Sequence, residues 1–100
     1  MKVIAELCIV PMGVGPSVSE FVAKIPPVLA KFDLKCELHA NGTNIEGDLI
    51  EIARAIEACY EVLHEAGVPR FFTNLVIGAR YDKEQTMEEK LQSAVSKIKA

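Results

Sequence analysis

No window of this sequence of 100 residues is long and apolar enough to cross a bilayer. Its N-terminus lacks the basic region and apolar core of a secretory signal, so the expected compartment is the cytoplasm. A basic cluster is also missing. The 11 Lys and Arg residues are scattered and outnumbered by 14 Asp and Glu, for a net charge of -3. That balance argues against a nucleic-acid backbone binder, which needs a positive footprint. There is no Cys-x-x-Cys pair. Cys8, Cys36 and Cys59 are odd in number and far apart, which supports neither a zinc nor a dithiol redox motif. The three thiols read as small buried hydrophobes. No solenoid-length repeat and no low-complexity segment appears.

Half of the residues are hydrophobic, enough for a packed core, and the length fits one domain over residues 1–100. The centre of the chain is the stretch Asn41-Gly42-Thr43-Asn44-Ile45-Glu46-Gly47-Asp48. Asn41-Gly42 is a tight-turn signal, Thr43 to Glu46 a short strand, and Asp48 a helix cap with Glu51 at capping-box spacing. Before it, Val3 to Val10 reads as a strand with Val3, Ala5, Leu7 and Ile9 on one apolar face. Its second face, Ile4, Glu6, Cys8 and Val10, is also largely apolar, which marks a central strand covered on both sides. Ser17 and Glu20 are placed to cap a helix whose apolar positions, Val18 to Phe32, recur at helical spacing. Pro26-Pro27 predicts a kink or break in it. Leu34 to Ala40 is the second strand, with Cys36, Leu38 and Ala40 expected toward the core.

After the central stretch, Leu49, Ile52, Ala53, Ile56, Cys59, Tyr60 and Leu63 form the stripe of a long helix, Asp48 to Ala66, closed by Gly67. Phe71 to Ile77 is the fourth strand. Thr86, with Glu89 at N3 spacing, starts a last helix carrying Met87, Leu91, Ala94, Val95 and Ile98.

The order β-α-β-β-α-β plus a C-terminal helix is the ferredoxin-like, α+β pattern. It implies a four-stranded antiparallel sheet with helices on one face. Glu6, Cys8, Val10, Glu37, His39, Asn44, Glu46, Phe72, Asn74 and Val76 then fall on the other, bare face. That mixture is too apolar for plain surface and too polar for core. It is explained by packing against a second copy, with polar pockets between subunits, or by the C-terminal helix covering part of it.

Several segments together resemble the small thiamine-binding-protein-like family, whose members have this fold and form dimers and tetramers. They are Val10-Pro11-Met12-Gly13, Lys35-Cys36-Glu37-Leu38, Gly42-Thr43-Asn44-Ile45-Glu46-Gly47-Asp48, Gly67-Val68-Pro69-Arg70, and Arg80-Tyr81-Asp82-Lys83 followed by Met87-Glu88-Glu89-Lys90. The resemblance implies non-catalytic binding of thiamine or its hydroxymethylpyrimidine moiety, with no further cofactor. Thr43, Glu46 and Gly47 carry over from the family motif, and Arg80 less directly.

The residues agree with such a ligand. A carboxylate can bond an aminopyrimidine edge and balance a thiazolium charge, and an aromatic face can stack on the rings. Glu37, His39, Thr43, Glu46, Phe72 and Asn74 are the candidate ligand-binding residues, with Glu6 and Asn44 beside them. Other readings stay open. Glu46 can instead pair with Lys35 or Arg80, Thr43 can serve strand propensity alone, and Arg80 with Asp82 can form a loop or intersubunit salt bridge. Glu37, His39 and Glu46 have no metal-ligand spacing signature. Ser17 lacks a nucleophile-elbow context. A Cys8–His39 nucleophile would sit among glutamates that raise its thiol pKa. No enzyme is therefore expected. The competing class is a structural or regulatory homo-oligomeric module without a small-molecule ligand.

Overall fold

Strand alternation sets the sheet. In β1 (Lys2–Met12) every second residue from Val3 to Ile9 is buried. It is followed by two short helices, α1 (Ser19–Val22) and α2 (Ile25–Leu29), then β2 (Leu34–His39), β3 (Gly42–Asp48), the long α3 (Leu49–Glu65), β4 (Arg70–Gly78) and α4 (Met87–Val95). These are the elements of a computed structural model that describes residues 1–98. The sheet order is β2-β3-β1-β4, and all three neighbouring pairs are antiparallel. This is the ferredoxin-like arrangement expected from the element order.

The core lies between one sheet face and the helices α2 and α3. Val3, Leu7, Ile9 and Ile45 meet Leu29, Ile52, Cys59 and Leu63 there. Fully burying an aliphatic side chain such as Ile52 or Leu63 contributes roughly 1.5–3 kcal/mol. The inward stripe of α3 is Ile52, Ala55, Cys59 and Leu63; Ala53, expected within it, is exposed. Both ends of α3 form from local chemistry. Asp48 accepts from the N–H groups of Ile50 at 3.0 Å and Glu51 at 3.2 Å. At the other end Gly67 takes φ +96, and the N–H groups of Gly67 and Val68 close on the carbonyls of His64 and Leu63. That pairing is the Schellman motif, with Val68 packed back on the core.

Four expectations are corrected. The first helical segment breaks at Ala23–Lys24, ahead of Pro26-Pro27, because prolines are tolerated in a helix's first turn. Ser17 caps nothing; Val18 holds the N-cap position of α1 without a side-chain bond. The hairpin turn is Ala40–Asn41, one residue early, and Gly42 already belongs to β3. Finally, Cys36 and Leu38 do point to the helix side, opposite Ile45 and Thr43, but both stay exposed. Their strand is at the sheet edge.

α4 lies against the other sheet face. Thr86 Oγ1 accepts from Glu89 N–H at 3.1 Å and caps it as expected. Two long-range contacts hold it. Glu46 Oε1 accepts the Met87 N–H at 2.6 Å, and Lys35 pairs with Glu88. Met87 is its buried residue, whereas Leu91 and Val95 are exposed. The radius of gyration is 15.1 Å, against about 13 Å for a compact chain of this length. An outlying helix is consistent with that excess.

Candidate functional site

Strand register arranges the face beneath α4 into rows. Lys35, Glu46, Ile4 and Gly78 stand abreast, followed by Glu37, Asn44, Glu6 and Val76. Beyond them Cys8 stands beside Asn74, and Val10 beside Phe72. The bare-face assignments from alternation are thus met.

His39 reaches inward from β2. The imidazole packs over Gly42, with Cε1 3.5 Å from where a Cβ there would stand, an ordinary contact distance. Its Nδ1 accepts the Asn41 N–H at 3.3 Å. In the neutral ring the proton then sits on Nε2. Nε2 lies 3.4 Å from Glu6 Oε2, an ion-pair distance that lacks hydrogen-bond alignment, and Nε2 is buried without a hydrogen-bond partner.

Two cavities flank these groups. Between α4 and the sheet lies a cleft of about 480 Å³ lined by Glu6, Glu37, Asn44 and Val76 from the sheet and by Met87, Lys90 and Leu91 from the helix. A notch of about 380 Å³ lies at the hairpin tip, between His39–Thr43, the Leu7–Pro11 half of β1, and α1–α2. Both volumes fall in the range of small-molecule sites.

The six candidate residues divide among these places. Glu37 lines the cleft. His39 lines the notch and approaches Glu6 across the open face. Thr43 lies on the helix side of the sheet, paired with Leu7 and Leu38, and lines the notch. Its parity with Ile45 already carried that signal. Glu46 is committed to the Met87 N–H and to Lys2 Nζ at 3.7 Å, rather than to Lys35 or Arg80. Phe72 and Asn74 are exposed on the open face, and the Arg70 guanidinium lies 5.7 Å from the Phe72 ring centroid. Arg80 forms a two-pronged pair with Asp82 inside its own loop, which holds the Asp82 carboxyl down at about 2. Missed by the sequence reading were Lys90 and Leu91 as cleft walls; the i, i+4 spacing of Met87 and Leu91 was the available signal. Of the thiols, Cys59 is buried, Cys8 half-buried and Cys36 exposed.

Residues 5–95 match the family model described as thiamine-binding protein. The chain belongs to this family. Among relatives, UPF0045 protein sll0230 of Synechocystis is 50% identical over 93 residues, spanning 93% of this chain and 77% of that protein. UPF0045 protein MJ1052 of Methanocaldococcus jannaschii is 48% identical over 93 residues, spanning 92% and 91%. The crystal structure of the Methanocaldococcus protein superposes with a TM-score of 0.85 at 43% identity, covering 97% of this chain and 98% of that one. A candidate thiamine biosynthesis/salvage protein of Thermotoga maritima shares the fold, with a TM-score of 0.78 at 22% identity over 94% and 99% of the two chains. The family is described by binding, and these UPF0045 relatives carry no enzyme name. No helix among the described residues is long and apolar enough to cross a membrane.

Proposed function

We propose that this protein is a non-catalytic, cytoplasmic binding protein for thiamine or its hydroxymethylpyrimidine moiety, working as a homodimer or homotetramer of single domains. The observation that carries this reading is the Glu37–Asn44–Glu6 row beneath α4. Glu37, Asn44 and Asn74 have no side-chain hydrogen bond among the described residues. Glu37 and Asn74 are exposed and Asn44 is half-buried, so these groups are free to bond an incoming ligand. Two carboxylates beside a cleft suit a ligand that carries a fixed positive charge on one ring. The family match supports the ligand class.

Oligomerisation is supported by what the open face leaves uncovered. Phe72 and Val76 are 56% and 64% exposed, and Leu91 of α4 is 65% exposed. Large apolar residues this exposed on one side of the sheet suit an interaction surface. The same observation favours the second reading, an assembly module without a ligand.

Calorimetric titration with thiamine and with hydroxymethylpyrimidine separates the two, with the oligomer followed by light scattering. Saturable binding is expected. The Glu6→Gln/Glu37→Gln double variant should weaken thiamine about tenfold, equivalent to about 1.4 kcal/mol. A stable oligomer that gives no heat with either compound would leave the assembly module as the function.

A further inference from the structure

The notch at the hairpin tip has a feature that the cleft lacks, an unpaired stretch of sheet edge inside it. β1 pairs with β4 as far as Met12, but its pairing with β3 ends at Leu7 opposite Thr43. The Leu7 carbonyl oxygen faces β3, because it lies 2.6 Å from where a Cβ on Gly42 would stand. In an antiparallel strand the N–H and C=O of one residue point to the same side, and alternate residues repeat that direction. The N–H and C=O of Ile9 therefore also face the β3 side, where β3 has already ended. No loop or turn backbone bond reaches Ile9 among the described residues. Pro11 fits this geometry. It shares the parity of Ile9, and proline is tolerated in a sheet only where its nitrogen meets no partner strand.

A second polar group enters the same space. Thr43 is only 6% exposed, lines the notch, and its hydroxyl has no hydrogen bond among the described residues. The opposite wall is apolar, made by Val18, Val22 and Ile25. A donor, an acceptor and a hydroxyl on one side of an apolar slot match a flat ring with polar edges. About 380 Å³ accommodates one ring and its substituents, but not the several residues of an added strand.

We infer that the notch is a recognition slot for an aminopyrimidine-type ring, in which the Ile9 N–H donates to a ring nitrogen and the Ile9 C=O accepts from the adjacent exocyclic amino group. Thr43 bonds a remaining ring nitrogen, and Val18 and Val22 cover the ring face. His39 borders the notch, and its Nε2 stands 3.4 Å from Glu6 Oε2 on the open face, which marks the path by which a ring substituent would reach the cleft carboxylates. This deepens the proposed function and rests on it for the identity of the ligand. It assigns the two ends of thiamine to different groups, the pyrimidine to the notch and the cationic ring to Glu6 and Glu37.

The test uses the full ¹⁵N-labelled chain titrated with hydroxymethylpyrimidine, thiamine, cytosine and adenosine. Hydroxymethylpyrimidine should shift the Ile9 amide resonance and slow its hydrogen exchange at least tenfold. Thr43→Val should weaken hydroxymethylpyrimidine and thiamine equally, about tenfold, while Thr43→Ser retains affinity. Glu6→Gln/Glu37→Gln should weaken thiamine and leave hydroxymethylpyrimidine unchanged. Binding of hydroxymethylpyrimidine with the Ile9 amide unmoved would overturn the slot and spare the proposed function. Binding of cytosine or adenosine alone, with the Ile9 amide shifted, would keep the slot and overturn the thiamine reading. No binding by any of the four overturns both.

Discussion

Of the two long-range contacts that hold α4 on the sheet, the buried one is made by Glu46, and removing it should loosen the helix without unfolding the domain. Glu46 is 8% exposed and accepts the Met87 N–H at 2.6 Å, at the positive end of the helix. A hydrogen bond to a charged group contributes about 1.5–3 kcal/mol. The helix-dipole contribution of about 0.3–1 kcal/mol overlaps with it. We therefore take about 2 kcal/mol for Glu46→Ala. The Thr86 cap is retained, and the exposed Lys35–Glu88 pair offers only about 0–1 kcal/mol in compensation. The assay is native-state hydrogen exchange. Amides of α4 that exchange by local opening should do so about 30-fold faster, the equivalent of 2 kcal/mol, while amides of α3 keep their rates. Glu46→Gln keeps an acceptor oxygen and should cost about half as much, about 1 kcal/mol or roughly fivefold. The reasoning fails if α4 protection in Glu46→Ala equals that of the parent. It fails equally if α3 and the sheet lose protection alongside α4, since the helix would then not open separately.

Two further outcomes follow from individual positions. A Cβ at Gly42 would stand 2.6 Å from the Leu7 carbonyl oxygen, a backbone atom with little freedom to move. Gly42→Ala should therefore cost about 1–3 kcal/mol in denaturant unfolding, and a parent-like midpoint would contradict this. Burial pushes the Cys59 thiol up from 9.0 to about 11. Its contribution to stability is then complete below pH 9 and lost as pH rises through 11, a change of about 2–3 kcal/mol. Denaturation midpoints of the parent and Cys59→Ala should converge between pH 8 and 11. A gap that stays constant over that window would refute the assignment.

What could be read in the sequence was mostly what is decided locally. Asp48 and Thr86 cap their helices because the bonded N–H groups lie two or three residues away. Gly67 ends α3 for a similarly local reason. Strand alternation correctly placed the Glu37, Asn44, Glu6 and Val76 row. Features set across the chain were harder to read. The position of α4 depends on a bond between residues 41 positions apart. Leu38 faces the helix layer yet is 66% exposed, because burial at an edge strand depends on how far the helices extend. Thr43 was grouped with the open-face candidates despite its parity with Ile45. The open edge at Ile9 follows only from where β3 begins, and Pro11, beyond the expected strand Val3 to Val10, belongs to β1 in the structure.

The stretch Gly42–Asp48 pairs with β2 on one side and β1 on the other. A single-residue insertion or deletion within it would exchange Thr43 and Ile45 for Asn44 and Glu46 across the sheet. The core, the notch and the hold on α4 would fail together. Length change is therefore closed to this segment, and related chains can diversify it only by substitution. The loop from Gly13 to Val18 carries no such double constraint, and indels that alter the notch wall should accumulate there.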